Sequence, residues 1–228
     1  MPNDKAAGPS GIYNEHLKHL DTKVQQLLLS LIQMIFKVGS IPDEWRIAHI
    51  YLIPKPTEWY FDITKTRPIT LLETCRKAFA KILNKRLAKI ISKHNILQGN
   101  NYAGLPGKST QEPIKMLNMI IEEAVENKKE LWLLFQDLSK TYDRVDLNYL
   151  KKALDRIKLP PLFSQLIINL FVNRKNSIFT QVGLTDQYDV KIGIDQGEVI
   201  SPLLWIIYYD PLLCEIQKQK LGYTMKHT

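Results

Sequence analysis

The sequence predicts an α/β (α+β) protein. Apolar residues at helical spacing alternate with short strand-like runs along the whole chain, proline and glycine punctuate the changes, and composition is that of a chain with a core. Hydrophobic residues make up 45% and charged residues 24% of the 228 positions, which argues against disorder. From Val24 to Phe36 the positions Val24, Leu27, Leu28, Leu31, Ile32, Ile35 and Phe36 fall on one helical face, and Gly39 stops the helix. Ala48 to Ile53 reads as a strand ending at Pro54-Lys55-Pro56. A second extended piece includes Arg67-Pro68-Ile69-Thr70, because proline disfavours helix in the residue before it.

A long helix is expected over 72–94, with Phe79, Ile82, Leu83, Leu87, Ile90 and Ile91 on its apolar side. Lys77, Lys81, Lys85, Lys89 and Lys93 recur on the other side. That row reads equally as a phosphate-tracking stripe and as an ordinary solvated face. After a loop over 95–108, Ser109-Thr110-Gln111-Glu112 has the form of a capping box and opens a helix reaching Asn127. Leu131 to Phe135 is a continuous apolar run of strand length, the pattern of a strand buried on both faces.

Asp146 can cap a helix from Leu147 to Ile157, and Pro160-Pro161 separates it from another ending near Asn173. Ile178–Val182 and Tyr188–Ile192 flank Gly183-Leu184-Thr185-Asp186 and read as a hairpin. Ser201-Pro202 looks like N-cap and N1 of a last helix running toward Lys218.

Lys and Arg outnumber Asp and Glu by 31 to 23, for a net charge of +8, which favours a polyanionic partner and nucleic acid above all. Cys75 and Cys214 lie in apolar helical patterns without a Cys-x-x-Cys partner, so neither a zinc site nor a disulfide framework is implied. The stretch Met1-Pro2-Asn3-Asp4-Lys5 is not a signal peptide, and the apolar run Leu203–Tyr209 is too short to span a bilayer. An intracellular protein without a membrane association is expected, with nucleus and cytoplasm not distinguished.

Two motifs carry chemistry. In Phe135-Gln136-Asp137-Leu138-Ser139-Lys140-Thr141-Tyr142-Asp143 a carboxylate sits at the end of an expected buried strand, where it needs a positive compensator. A divalent metal together with a nucleoside triphosphate would supply one, and capping of the following turn is the plainer reading of the aspartate alone. In Gly193-Ile194-Asp195-Gln196-Gly197-Glu198-Val199-Ile200-Ser201-Pro202 two glycines bracket a glutamine just before a helix start. That arrangement suits close backbone approach to an anionic ligand, or simply a turn.

Taken in order, with roughly fifty residues between them, these motifs resemble the reverse transcriptases of non-LTR (LINE-like) retrotransposons. Four upstream blocks agree. Lys5-Ala6-Ala7-Gly8-Pro9-Ser10-Gly11-Ile12 resembles the family's KxxGPDGI block, with Ser10 where aspartate is usual. Pro42 and Trp45 with Ile53-Pro54-Lys55 resemble the next block, and Arg67-Pro68-Ile69-Thr70-Leu71-Leu72 with Lys77, Lys81 and Arg86-Leu87 the one after. Gln98-Gly99, Tyr102-Ala103-Gly104 and Pro106-Gly107-Lys108-Ser109-Thr110 resemble the QxGFxxGRST block.

The resemblance implies RNA-directed DNA polymerisation by metal-assisted nucleotidyl transfer. The partners would be an RNA template, a DNA primer and deoxynucleoside triphosphates. Residues 1–129 would be fingers and 130–228 an incomplete palm, with a fingers-side insertion at about 147–196 and no thumb. Asp137 and the Leu138 carbonyl would bind metal. Lys55 and Arg67 would hold the triphosphate, Tyr142 would act as steric gate, and Gln196 and Gly197 would line the nucleotide pocket. For Lys140 and Asp143 the expectation is an ion pair or a template contact.

Family enzymes hold two Mg²⁺ ions about 4 Å apart, using further aspartates from a Tyr-x-Asp-Asp hairpin. That motif does not occur here. Tyr208-Tyr209-Asp210-Pro211 falls inside the last expected helix, so Asp210 is not expected to bind metal. A weak partial metal site and no polymerisation by the chain alone are therefore expected. The alternative is a non-catalytic RNA- or DNA-binding remnant.

Overall fold

The computed structural model describes residues 2–56, 58, 60–105 and 107–225. Met1 and Pro106, quoted above, lie outside the described residues. The elements in order are α1 (Asn14–Lys18), α2 (Thr22–Val38), β1 (Ile47–Pro54), β2 (Thr66–Leu71), α3 (Thr74–Lys93), α4 (Gln111–Glu126), α5 (Leu147–Arg156), α6 (Pro161–Asn169), β3 (Arg174–Thr180), β4 (Gly183–Leu184), β5 (Tyr188–Val190) and α7 (Ser201–Gln219). Helices and a mixed sheet in one chain make the class α/β.

The strands form one sheet in the order β2-β1-β3-β4, with β5 also paired to β3. β1 and β2 are antiparallel, with Ile53 opposite Arg67, whereas β1 and β3 are parallel, with Ile47 opposite Lys175. Arg174–Asn176 of β3 pair antiparallel with Val190–Tyr188 of β5, and Phe179–Thr180 pair with β4. The hairpin expected at Ile178–Val182 therefore begins earlier, at Arg174. The charges of Arg174 and Lys175 hid its start from the apolar pattern.

The core lies among α3, α5, α6 and α7, with Ile35 of α2 and Trp45 closing one side. Phe79 of α3 contacts both the Phe36 ring (5.4 Å) and the Trp45 ring (5.8 Å). Local signals explain several boundaries. Gly39 takes a left-handed φ of 75° after α2, and the Asp146 carboxylate accepts from the amides of Asn148 and Tyr149 at the start of α5. α2 buries only Ile35 of its seven expected apolar positions completely, and Leu27 stays 69% exposed.

Three local expectations are corrected. Thr110 precedes α4 with helical backbone angles and makes no side-chain cap; Ser109 instead accepts from the Gln111 amide. Ser201 is the first residue of α7 rather than its cap, because its hydroxyl donates to the Asp195 carbonyl at 2.8 Å. Leu131–Phe135 forms no strand and pairs with none among the described residues, and Trp132, Leu134 and Phe135 are 86%, 90% and 79% exposed. A strand is defined by ladder bonds to a neighbour, and none is present there to accept it.

Candidate functional site: a cleft between two sequence blocks

The two motifs read from the sequence are stitched together by backbone. The Gly193 amide donates to the Val145 carbonyl and the Ile194 amide to the Tyr142 carbonyl, both at 2.9 Å. Gly193 makes this possible. With φ at +83° it lies so close to Asp143 that a Cβ would stand 2.8–2.9 Å from the Asp143 backbone. On the other side the Thr70 amide of β2 donates to the Gln196 carbonyl at 3.3 Å. The Gln-Gly segment therefore runs between the Asp-bearing block and the β1–β2 pair.

The space left between them is a cleft of about 760 Å³. Lys55, Arg67, Lys140, Tyr142, Asp143 and Gln196 all line it. Lys55, just past the end of β1, and Arg67 of β2 reach it from the same end of the pair and are exposed. Lys55 Nζ makes one long contact to the Thr64 carbonyl, at 3.5 Å. Arg67 has no hydrogen-bond or ion-pair partner among the described residues. Two cations without anionic partners at one mouth make an anion-binding surface, the guanidinium adding paired donors.

Tyr142 is half-buried, and burial pushes its phenol above the ordinary value. Gly197, at φ +106°, sits against β2, where a Cβ would lie 3.4 Å from the Thr70 carbonyl oxygen. Lys140 and Asp143 form no ion pair with each other, and both line the cleft.

Asp137 and Leu138 are placed apart from that cleft. They line a neighbouring cavity of about 790 Å³ together with Arg144, Arg156, Trp205, Tyr208 and Tyr209; Thr141 and Trp205 border both spaces. Asp137 is exposed, at the end of the unpaired segment rather than of a buried strand. The Leu138 carbonyl already accepts the Thr141 hydroxyl at 2.7 Å. Among the described residues no group of three His, Cys, Asp or Glu side chains could hold a metal ion. One exposed carboxylate and one carbonyl alone fall short of the near-octahedral oxygen set that Mg²⁺ takes, so further ligands would have to come from bound nucleotide or water.

Asp210 has a structural task. It is buried in α7, pairs with Arg156 at 2.7 Å and accepts from the Gly99 amide at 2.9 Å.

Sequence reasoning missed what holds the cleft from behind. Arg76 of α3 is fully buried and pairs with Asp195 (2.6 Å) and Glu198 (3.0 Å), while buried Arg174 pairs with the other oxygen of Asp195 (2.6 Å). Burial pushes the Glu198 carboxyl up, and Arg76 beside it pulls the other way. A signal for Arg76 existed. It falls on the same helical stripe as Phe79, Ala80, Leu83 and Leu87, where an arginine must find buried partners.

The comparisons with known proteins agree with the sequence blocks. Residues 53–227 match the family model described as reverse transcriptase (RNA-dependent DNA polymerase). The chain is 25% identical over 214 residues to the probable RNA-directed DNA polymerase from transposon BS of Drosophila melanogaster, covering 94% of this chain and 24% of that protein. It is 27% identical to the Pol polyprotein from the type-1 retrotransposable element R2 of Nasonia vitripennis, covering 91% and 19%. It is 23% identical to the RNA-directed DNA polymerase from mobile element jockey of Drosophila melanogaster, covering 91% and 23%. The chain thus spans a quarter or less of the length of these relatives. No helix among the described residues is long and apolar enough to cross a membrane. With the family model covering most of its length, this chain belongs to the reverse transcriptase family, among those of non-LTR retrotransposons.

Proposed function

We propose that the chain is the nucleotide-holding part of an RNA-directed DNA polymerase, in which the cleft receives a deoxynucleoside triphosphate. The observation that carries this reading is the meeting of Lys55, Arg67, Tyr142 and Gln196, from four separate sequence blocks, around one cleft. In this reading Arg67 and Lys55 bind the phosphates, Tyr142 crowds a ribose 2′-hydroxyl, and Gln196 and Gly197 border the sugar and base. Residues 1–129 act as fingers and 130–228 as part of a palm, with 147–196 packed on the fingers side. An RNA template and a DNA primer are the remaining partners. Mg²⁺ arrives with the triphosphate, whose oxygens supply most of its ligands.

The chain by itself binds nucleotide without polymerising it, because among the described residues Asp137 stands without the further carboxylates that two-metal transfer needs. Titration with a fluorescent deoxynucleoside triphosphate in Mg²⁺ should show saturable binding, weakened about tenfold or more by Arg67→Ala. Absence of binding, or binding indifferent to Arg67→Ala, would overturn the cleft assignment. Mg²⁺-dependent primer extension abolished by Asp137→Ala would overturn the inactivity.

A further inference from the structure

Gln196 enters the cleft, but what fixes its place lies outside the cleft. Asp195, the preceding residue, is buried, and its carboxylate is divided between two arginines: Oδ2 takes Nη2 of Arg76 and Oδ1 takes Nη1 of Arg174, each at 2.6 Å. Arg174 reaches further along the same segment, donating from Nη2 to the carbonyls of Ile192 (2.8 Å) and Gly193 (2.7 Å). Arg76 donates from Nε to Glu198, beyond the Gln-Gly pair, at 3.0 Å. The Ser201 hydroxyl holds the Asp195 carbonyl. The stretch 192–198 is therefore gripped before, at and after Asp195, while Gln196 and Gly197 in the middle of it project toward β2.

The other ends of the grip are anchored beside β1, the strand that Lys55 directly follows. Nη1 of Arg76 donates to the Trp45 carbonyl at 2.8 Å, just before β1, and Arg174 opens β3, the parallel neighbour of β1. Both guanidiniums also lie over the Phe171 ring, at 5.9 and 5.8 Å.

Two buried cations against two buried anions balance in charge. Such a set is a weak source of stability, since well-packed apolar residues often do as well in its place. What the ionic set adds is direction, because planar guanidinium forks donate to their partners in fixed geometry.

We infer that Arg76 and Arg174, neither of which lines the cleft, are positioning residues for the nucleotide site, fixing Gln196 and Gly197 through Asp195. The inference rests on the cleft being the nucleotide site.

The test compares Arg174→Lys, which keeps the charge but loses the fork, with Leu154→Ala, a cavity variant in the buried core of α5. Both are studied at temperatures where each is folded. Hydrogen exchange is followed at the Gly193 and Ile194 amides, and affinity for a fluorescent deoxynucleoside triphosphate is measured in Mg²⁺. Arg174→Lys should exchange faster at both amides and bind nucleotide about tenfold more weakly, with Leu154→Ala like the wild type in both. Ser201→Ala, which removes one hydrogen bond of the same grip, should shift both readouts in the same direction by less. It carries the test if Arg174→Lys does not fold. Unchanged exchange in the grip variants, or an equal loss of affinity in Leu154→Ala, overturns the inference. Failure of the wild type to bind nucleotide, with exchange still accelerated, would instead remove the cleft reading and leave the grip as a purely structural device.

Discussion

Gly193→Ala isolates the contact that joins the two chemistry-bearing blocks. At φ +83° an alanine pays for left-handed backbone with about 1 kcal/mol. Its Cβ would also stand 2.8–2.9 Å from the carbonyl oxygen, carbon and Cα of Asp143, rigid backbone that cannot swing aside as a side-chain tip could. Relieving the clash means separating 193–194 from 142–145 and weakening the two 2.9 Å hydrogen bonds to Val145 and Tyr142, at about 1 kcal/mol each. The sum is about 3 kcal/mol, or a fall of roughly 10 °C in Tm for a chain of this size.

Gly11→Ala is the internal control. Its φ of +72° is close to that of Gly193, but nothing lies within 4 Å of the added Cβ, so only the backbone strain of about 1 kcal/mol applies. Urea denaturation followed by circular dichroism gives both values. Equal losses in the two variants would refute the claim that steric welding to Asp143, rather than glycine's backbone freedom alone, holds the blocks together.

The remaining predictions concern separate features. Asp210→Asn should cost about 2 kcal/mol in urea denaturation, by removing the charge that Arg156 pairs with, and leave nucleotide affinity unchanged; altered affinity would reopen a site role for Asp210. Burial raises the Tyr142 pKa, so the unfolded chain loses that proton first as pH rises past about 10. The contribution of the neutral phenol is thus complete below the unfolded value and lost above it. A phenolate absorbance titration should show late-titrating groups, with Tyr60 and Tyr223 also raised, and one of them should disappear in Tyr142→Phe. Tyr142→Val should also narrow the preference for deoxy- over ribonucleotide binding, measured by competition. Replacing Trp132 and Phe135 by Lys should raise the concentration at which the chain self-associates about tenfold, seen by sedimentation, because an exposed apolar segment outside any strand ladder is a template for pairing.

Much of the fold was legible because it is written in local periodicity. The apolar spacing before Gly39 announces α2, the stripe through Phe79, Leu83 and Leu87 announces α3, and Asp146 announces the start of α5. The failures have physical reasons of their own. A continuous apolar run at Leu131–Phe135 states a preference for burial without saying whether a neighbouring strand exists to pair with it. Ser201 before proline has the chemistry of a cap, but the Asp195 carbonyl, six residues earlier, competes for its hydroxyl. Buried arginines are rare, and nothing in the local pattern marks Arg76 and Arg174 as partners of Asp195, 119 and 21 residues away.

By itself the sequence determined the class, the family and the set of residues to watch, since ordered blocks and residue types survive in one dimension. Only the tertiary structure decided which of those residues share a space. Lys55, Arg67, Tyr142 and Gln196 meet because β1 pairs with β2 in one register and the Gly193 segment lies against Asp143, while Asp137 faces the adjoining cavity. Register and close approach depend on bonds between residues far apart in the chain, which local patterns do not encode.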